Sequence, residues 1–551
     1  DDSILIGDGK FQGMVIFCTT IAAISYLCHT TSFALTARVM DHWCRPPDDM
    51  DMNTSEWKNA AIPVVEDGSL SRCSMRASPL EAGNTTLREL VPCAKWDFDL
   101  SEYGNTIISE WSLVCNRSWI VPLASLTFDS GGAIGGLVFG MVADRLGRRH
   151  VVCFCVGVHM IAGFASAQRN WFLVFVAIRC VVSASSEGLV KVLFVTLYEV
   201  ASPRKWLGYS LVCGGVTLVI VPAILTVISL FQLDWTAIYL VFMVPTSFLI
   251  VAFHVILESP RWLLATGNLE AARHVTLTAA KTNGVPLKTA TLSLGKAVAA
   301  MKQASSQNEA TPPFTILGLL IDSKLRKRSA VLFFAWFAID FAFSASILMN
   351  PFAHYESFAV AYVVLLPLGF TAAFFYINRF GKKRVLLAVA SLLSVVSSLL
   401  AVTYDETPTA VTSTLLVLVQ LLSAVSMGVI FVFTVELFPT ALRCTGFCTS
   451  SAFGSVGTVT ATLLTRFDTK LRKDLLLVLM AGLAASGALA LQRLTDTASP
   501  ALFFRRSKSG EEEEDRKRQL QASLIPLSLL PRRSPNVNES PAVQSEPTTP
   551  S

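Results

Sequence analysis

Apolar runs of about twenty residues recur along this chain, and nothing constrains its fold more. A bilayer core of ~30 Å is crossed by about 20 helical residues at ~1.5 Å rise each. Inside that core, only helices and closed barrels satisfy every backbone N–H and C=O. Twelve segments reach the length: 11–37, 119–142, 150–168, 171–199, 207–231, 235–257, 329–349, 357–377, 384–403, 410–434, 444–465 and 474–493. Composition agrees, with 52% hydrophobic and 15% charged residues, where a soluble domain carries roughly 25% charged. The mean hydropathy is +0.53. The expected class is an all-α membrane protein with twelve transmembrane helices. A net charge of +5 over 551 residues supplies no basic face for nucleic acid. The first run, Phe11 to about Ala37, is too long for the h-region of a cleaved signal peptide.

The loops between the runs are unequal. An N-terminal segment and first span (1–37) precede a long loop, 38–118. Spans two to six occupy 119–257, a second long loop covers 258–328, and spans seven to twelve lie within 329–497. The second loop divides the chain six plus six, which predicts two six-helix bundles. Short loops on one side hold Arg145, Arg148, Arg149, Lys382, Lys383 and Arg443 among their basic residues. That bias makes this side cytoplasmic, with both termini on it. The loop 466–473, with Arg466, Lys470, Arg472 and Lys473, runs against the bias. The tail 498–551 has Glu511 to Glu514, then Arg516, Lys517 and Arg518, then a Pro- and Ser-rich end, the composition of a disordered segment.

The loop 38–118 is then extracellular, and its content fits an oxidising compartment. It carries four cysteines, Cys44, Cys73, Cys93 and Cys115, which allow three pairings. It also carries glycosylation sequons at Asn53, Asn84 and Asn116. The remaining cysteines fall in predicted helices and read as small apolar packing residues. No residue cluster has metal-ligand spacing, no phosphate-binding loop is present, and no nucleophile–base arrangement suggests an enzyme.

The strongest local motif joins spans two and three: Gly140-Met-Val-Ala-Asp144-Arg145-Leu-Gly147-Arg148-Arg149. Gly147 supplies backbone freedom for a tight turn. Asp144 ends one helix and can face the positive end of another. A second copy, Asn378-Arg379-Phe380-Gly381-Lys382-Lys383-Arg384, sits at the matching place in the second half, with Asn378 replacing the acid. Three further motifs follow. Leu257-Glu258-Ser259-Pro260-Arg261-Trp262 comes after span six. Thr106-Ile107-Ile108-Ser109-Glu110-Trp111 precedes span two. Glu436-Leu437-Phe438-Pro439-Thr440-Ala441-Leu442-Arg443 joins spans ten and eleven.

Together these motifs resemble the organic cation/anion/zwitterion transporter family of the major facilitator superfamily, over about residue 3 to Thr497. The resemblance implies two bundles related as parallel repeats, with a central cavity opening to either membrane face in turn. It implies a plasma-membrane carrier of small organic ions without a cofactor, whose partners are its substrate, the lipid bilayer and a coupling ion or exchange anion. It implies conformational roles for Gly140, Asp144, Arg145, Gly147, Arg148, Arg149, Glu258, Arg261, Glu436 and Arg443. The family position linked to substrate charge falls on Ser455, which is uncharged. The aromatic pair of span seven reads Trp336 and Phe343, without the usual phenolic hydroxyl.

Charges inside the hydrocarbon are costly and mark function. Arg179 matches the superfamily's arginine of span four. Glu187 and Lys191 are four residues apart and can pair, which favours a structural salt bridge. Asp129, beside Gly131 and Gly132, either faces the cavity or pairs with Arg179. Trp336, Asp340 and Phe343 share one helix face, so they form either a cage for an organic ammonium or an acid paired with a neighbouring helix. His159 and His254 read as core packing. The function expected is alternating-access transport of small organic ions, leaning to cations on Asp340. An anion or zwitterion carrier using Arg179 and Lys191, and a receptor that has lost transport, are the alternatives.

Overall fold

The computed structural model describes residues 6–47, 52–65, 68–77, 90–101, 104–203, 205–305, 316–349, 355–404, 407–464 and 469–494. The expected tail and Asn84 lie outside these residues. The first half begins with α1 (Lys10–Thr36). Between it and the next long helix lies a cap of β1 (His42–Cys44), α2 (Thr54–Ala61), β2 (Ser74–Arg76), β3 (Leu90–Pro92), β4 (Trp96–Phe98) and α3 (Ile107–Trp111). Then follow α4 (Ile120–Leu146), α5 (Arg148–Ala165), α6 (Phe172–Val200), α7 (Trp206–Ser229), α8 (Trp235–Ser247) and α9 (Ala252–Val255). A connecting layer holds α10 (Pro260–Ala265), α11 (Leu269–Thr282), α12 (Leu287–Ser305) and α13 (Ile316–Ile321). The second half comprises α14 (Ser323–Leu348), α15 (Tyr355–Phe380), α16 (Lys382–Thr403), α17 (Thr409–Leu437), α18 (Arg443–Leu464) and α19 (Thr469–Leu491).

Each of the twelve expected segments is helical. Nine of the described helical runs are long and apolar enough to cross a membrane by length and composition. The sixth segment is broken: Pro245 lies inside α8, and a 3-10 turn at Phe248–Val251 leads into α9, as expected where proline removes a helical hydrogen bond. Two helices start more than a turn earlier than their apolar runs. α14 begins at Ser323 rather than 329, and α19 at Thr469 rather than 474. Lys, Arg and Leu are good helix formers, so the basic residues Lys470, Arg472 and Lys473 extend a helix instead of forming a loop. His254 is exposed on α9, not packed in a core as its apolar setting suggested.

The four cap cysteines pair as Cys44–Cys93 and Cys73–Cys115. β1 pairs antiparallel with β4, and β2 with β3. Trp57 is buried and donates its indole N–H to the Cys44 carbonyl at 2.7 Å. Cap residues Cys44, Cys93, Trp96 and Ile107 share one apolar core with Phe175, Trp235 and Tyr239 of α6 and α8, so the cap is seated on the first bundle. Asn53 and Asn116 are both exposed. His42 lies close to the Cys73 and Cys115 sulfurs, but both sulfurs are tied in a disulfide.

The halves meet along α4 against α18 and α7 against α15. Two of the close approaches lie near the helix ends that adjoin the basic loops. Gly140 approaches Cys444 and Cys448 of α18, and Gly208 approaches Phe374 of α15.

Candidate functional site

Two sets of polar side chains join the bundles. One is a latch at the basic end; the other lies midway along the helices.

The latch is built on the turn between α4 and α5. Gly147 has φ +107°, a conformation side-chain-bearing residues rarely adopt, and a Cβ there would run into Glu258. The Glu258 carboxylate accepts the backbone N–H of Arg148 at 2.8 Å and of Arg149 at 3.2 Å, capping α5 where its helix dipole is positive. Pro260 occupies the first turn of α10, whose N-cap Ser259 accepts from the Trp262 N–H. The Trp262 indole donates back to the Asp144 carbonyl at 2.9 Å. The Glu258 motif therefore clamps the signature turn.

Across the interface, Asp144 accepts the backbone N–H groups of Cys444 at 3.3 Å and Thr445 at 2.7 Å. It is thus the anion at the positive end of α18, and it pairs with Arg148 at 3.0 Å. Glu199, at the end of α6, bridges Arg148 at 3.2 Å and Arg443 at 2.8 Å. Arg148 also donates to the Thr440 carbonyl at 2.9 Å. Asp144, Arg148 and Glu199 are fully buried. Arg443 and Arg261 both flank the Tyr198 ring, and burial draws the Arg261 guanidinium below its ordinary range. Arg145 and Arg149 are exposed. In the second half, Glu436 pairs with Lys382 and accepts the Trp206 indole N–H from the first bundle at 3.0 Å.

The central set is built around Lys191 of α6. Its ammonium lies 3.4 Å from Glu187 and 4.0 Å from the centre of the Phe431 ring. Trp336 and Phe447 stand at 5.4 and 5.8 Å. Ser451 of α18 donates to Glu187 at 2.8 Å, so the expected Glu187–Lys191 pair exists but is also bonded across the interface. Asp340 is half-buried, within electrostatic reach of Lys191 and Glu187. It has no hydrogen-bond or ion-pair partner among the described residues. Gly454 leaves its space: a Cβ at 454 would collide with the Asp340 carboxylate and come within 3.2 Å of Trp336. Trp336 is buried and anchored by its N–H to Thr434 at 3.0 Å. Phe343 is half-buried two turns along the helix, and the Ser455 hydroxyl bonds its own helix at the Ser451 carbonyl.

Arg179 does not join this set. It is buried within the first bundle, donating to Ser32 at 3.1 Å, to Tyr239 and to the His29 carbonyl at 3.5 Å, with the Phe128 ring 4.5 Å away. Asp129 is half-buried, in electrostatic reach of Arg179 but without an ion pair among the described residues. His159 is buried and bonded to Ser25 and Ser185. Phe431, Phe447 and Glu199 escaped the sequence reading. Glu199 had a signal, an acid at the end of an apolar helix. The two phenylalanines had none, since nothing local separates them from the other apolar residues of their helices.

The sequence profile of a family described as sugar (and other) transporter matches residues 115–490. Among curated proteins, the chain is 25% identical over 535 residues to the β-alanine transporter of Drosophila melanogaster, covering 90% of this chain and 87% of that one. It is 26% identical to solute carrier family 22 member 6 of Bos taurus, covering 95% and 96%. It is 27% identical to the organic cation transporter protein of Drosophila melanogaster, covering 68% of each chain. Among solved structures, the major facilitator superfamily proton:xylose symporter XylE, bound to 6-bromo-6-deoxy-D-glucose, superposes with a TM-score of 0.63 at 14% identity, covering 89% of this chain and 97% of that one.

Proposed function

Since the chain belongs to the sugar (and other) transporter family, we propose that it carries small amine-bearing organic cations, with the amine taken at Asp340. The chain is a membrane transporter with the major facilitator fold. The observation that carries the substrate reading is a charge imbalance. Asp340 and Glu187 share one ammonium, that of Lys191, beside three aromatic faces. With both carboxylates ionised, one added cation neutralises the set, and aromatic faces attract cations. The names of two relatives, for β-alanine and organic cations, denote solutes with a positively charged nitrogen. An anion carrier built on Arg179 and Lys191 has less support, because both terminal guanidinium nitrogens of Arg179 are bonded inside the first bundle and Lys191 is paired with Glu187.

The disulfide-bonded cap faces outside the plasma membrane, and the latch end and both termini are cytoplasmic, on the excess of short-loop Lys and Arg there. Transport then runs by alternating access: the latch closed here seals the cytoplasmic end, and its release opens that end. The protein makes and breaks no covalent bond in this cycle.

Uptake of a labelled tetraalkylammonium ion into proteoliposomes tests the reading. Asp340→Asn is expected to cut saturable uptake by about tenfold or more, because the quaternary cation then meets no opposite charge there. Undiminished uptake by a folded variant, or competition by carboxylates but not amines, sinks it.

A further inference from the structure

The central cage is already filled. Its three rings come from three helices of the second bundle: Trp336 on α14, Phe431 on α17 and Phe447 on α18. They pack on one another, with centroids 4.9 Å apart for Trp336–Phe431 and 5.3 Å for Phe431–Phe447. The cation before them is Lys191, which the first bundle extends across the interface. Lys191 and Glu187 are both buried. The Oε2 atom of Glu187 is buried without a hydrogen bond, and Asp340 has no partner among the described residues. The site thus has acceptors to spare and, among the described residues, one tethered cation.

We propose that Lys191 is the resident cation of the substrate site, occupying the cage in the empty carrier and yielding it to an incoming organic ammonium. This rests on the reading that the amine is taken at Asp340.

The physical reason lies in what an empty site would cost. Two carboxylates enclosed without a cation are strongly disfavoured, because lost hydration is repaid only by a close opposite charge. A carrier whose only cation is its substrate could not easily close when empty. It would be confined to exchanging one substrate for another. With Lys191 between the rings and Glu187, the empty site is partly neutralised and the bundles can close and reorient unloaded. The same tether competes with substrate, so it lowers apparent affinity while permitting net transport. Lys191 is tied to its own bundle by Glu187 and to the other by the rings, which suits a group that must let go of one side during the cycle.

The test compares wild type, Lys191→Met, Lys191→Gln and Lys191→Arg in proteoliposomes with a labelled tetraalkylammonium ion. Net uptake into empty vesicles and counterflow into preloaded vesicles are measured for each. The two neutral variants are expected to show a KM in counterflow about tenfold lower, and a ratio of net uptake to counterflow about tenfold lower, than wild type. Lys191→Arg should keep a ratio near that of wild type. Using two neutral side chains keeps the test decisive if one of them folds poorly. Neutral variants with an unchanged KM and ratio, or with both fluxes reduced in proportion, overturn the proposal. Loss of uptake in Asp340→Asn alongside unchanged Lys191 ratios overturns this inference alone. A wild-type carrier that moves no tetraalkylammonium ion in either assay overturns the organic-cation reading and this inference together.

Discussion

The two halves of the molecule build their side of the latch from matching parts, yet with different chemistry. In each, a glycine with positive φ turns the chain between two helices: Gly147 at +107° and Gly381 at +91°. In each, a basic residue just after that turn pairs with a glutamate ending a later helix. Arg148 meets Glu199, and Lys382 meets Glu436. In each, that glutamate also reaches across to the other bundle. There the likeness stops. Glu199 reaches a second charge, Arg443, whereas Glu436 reaches the neutral indole of Trp206. Asp144 caps α18 with a charge, whereas its counterpart is Asn378. The repeat conserves geometry, while the binding strength is concentrated on one side. On the proposed alternating-access cycle, in which this latch opens, such asymmetry is a gain, since two fully ionic links would hold it shut more strongly.

That contrast can be broken most forcefully at Glu199. Glu199→Gln leaves Arg148 and Arg443 facing each other without their carboxylate, and removing one partner of a buried pair costs about 3–5 kcal/mol. The closed latch should give way, and the buried thiols of Cys444 and Cys448 should react with a maleimide far faster than in wild type, as read by peptide mass spectrometry. Glu436→Gln should act in the same direction by about 1.5–3 kcal/mol, the worth of hydrogen bonds to a charged group. If it loosens the latch as much as the Glu199 change, the asymmetry is absent. Trp206→Phe removes one neutral donor and should cost about 0.5–1.5 kcal/mol, a modest rise in the same labelling rate. Asn378→Asp restores the missing acid. It should slow labelling slightly, by no more than about 1 kcal/mol, the scale of a charge at a helix end. Faster labelling would mean that position 378 does not face a helix N-terminus.

Much of this asymmetry was legible along the chain. The replacement of Asp144 by Asn378 stands out once the two loops are aligned, and so does the role of Gly147. What could not be read was the partner of each glutamate. Glu436 was recognised as part of a motif, but Trp206 lies 230 residues away in sequence. Glu199 was passed over although it lies at the centre of the stronger link. In the central site, Trp336 and Asp340 were picked out by helical spacing. Phe431 and Phe447, two of the three cage walls, were not, because a phenylalanine in a membrane helix is unremarkable until a cation is found over its face.

The sequence by itself determined the local terms. Runs of apolar residues set which segments are helices, because an unpaired backbone cannot be left in lipid. Glycine and proline set the turns, and an even set of cysteines in one loop marked the cap. Only the tertiary structure decided that Arg179 is an internal brace, that the cap sits on the first bundle, and that Lys191 of one bundle fills an aromatic cage of the other. Hydrogen-bonding need acts within a few residues of chain, so it is written in local order. Charge and aromatic contacts act through space between helices hundreds of residues apart, and their pairing exists only once the two bundles have met.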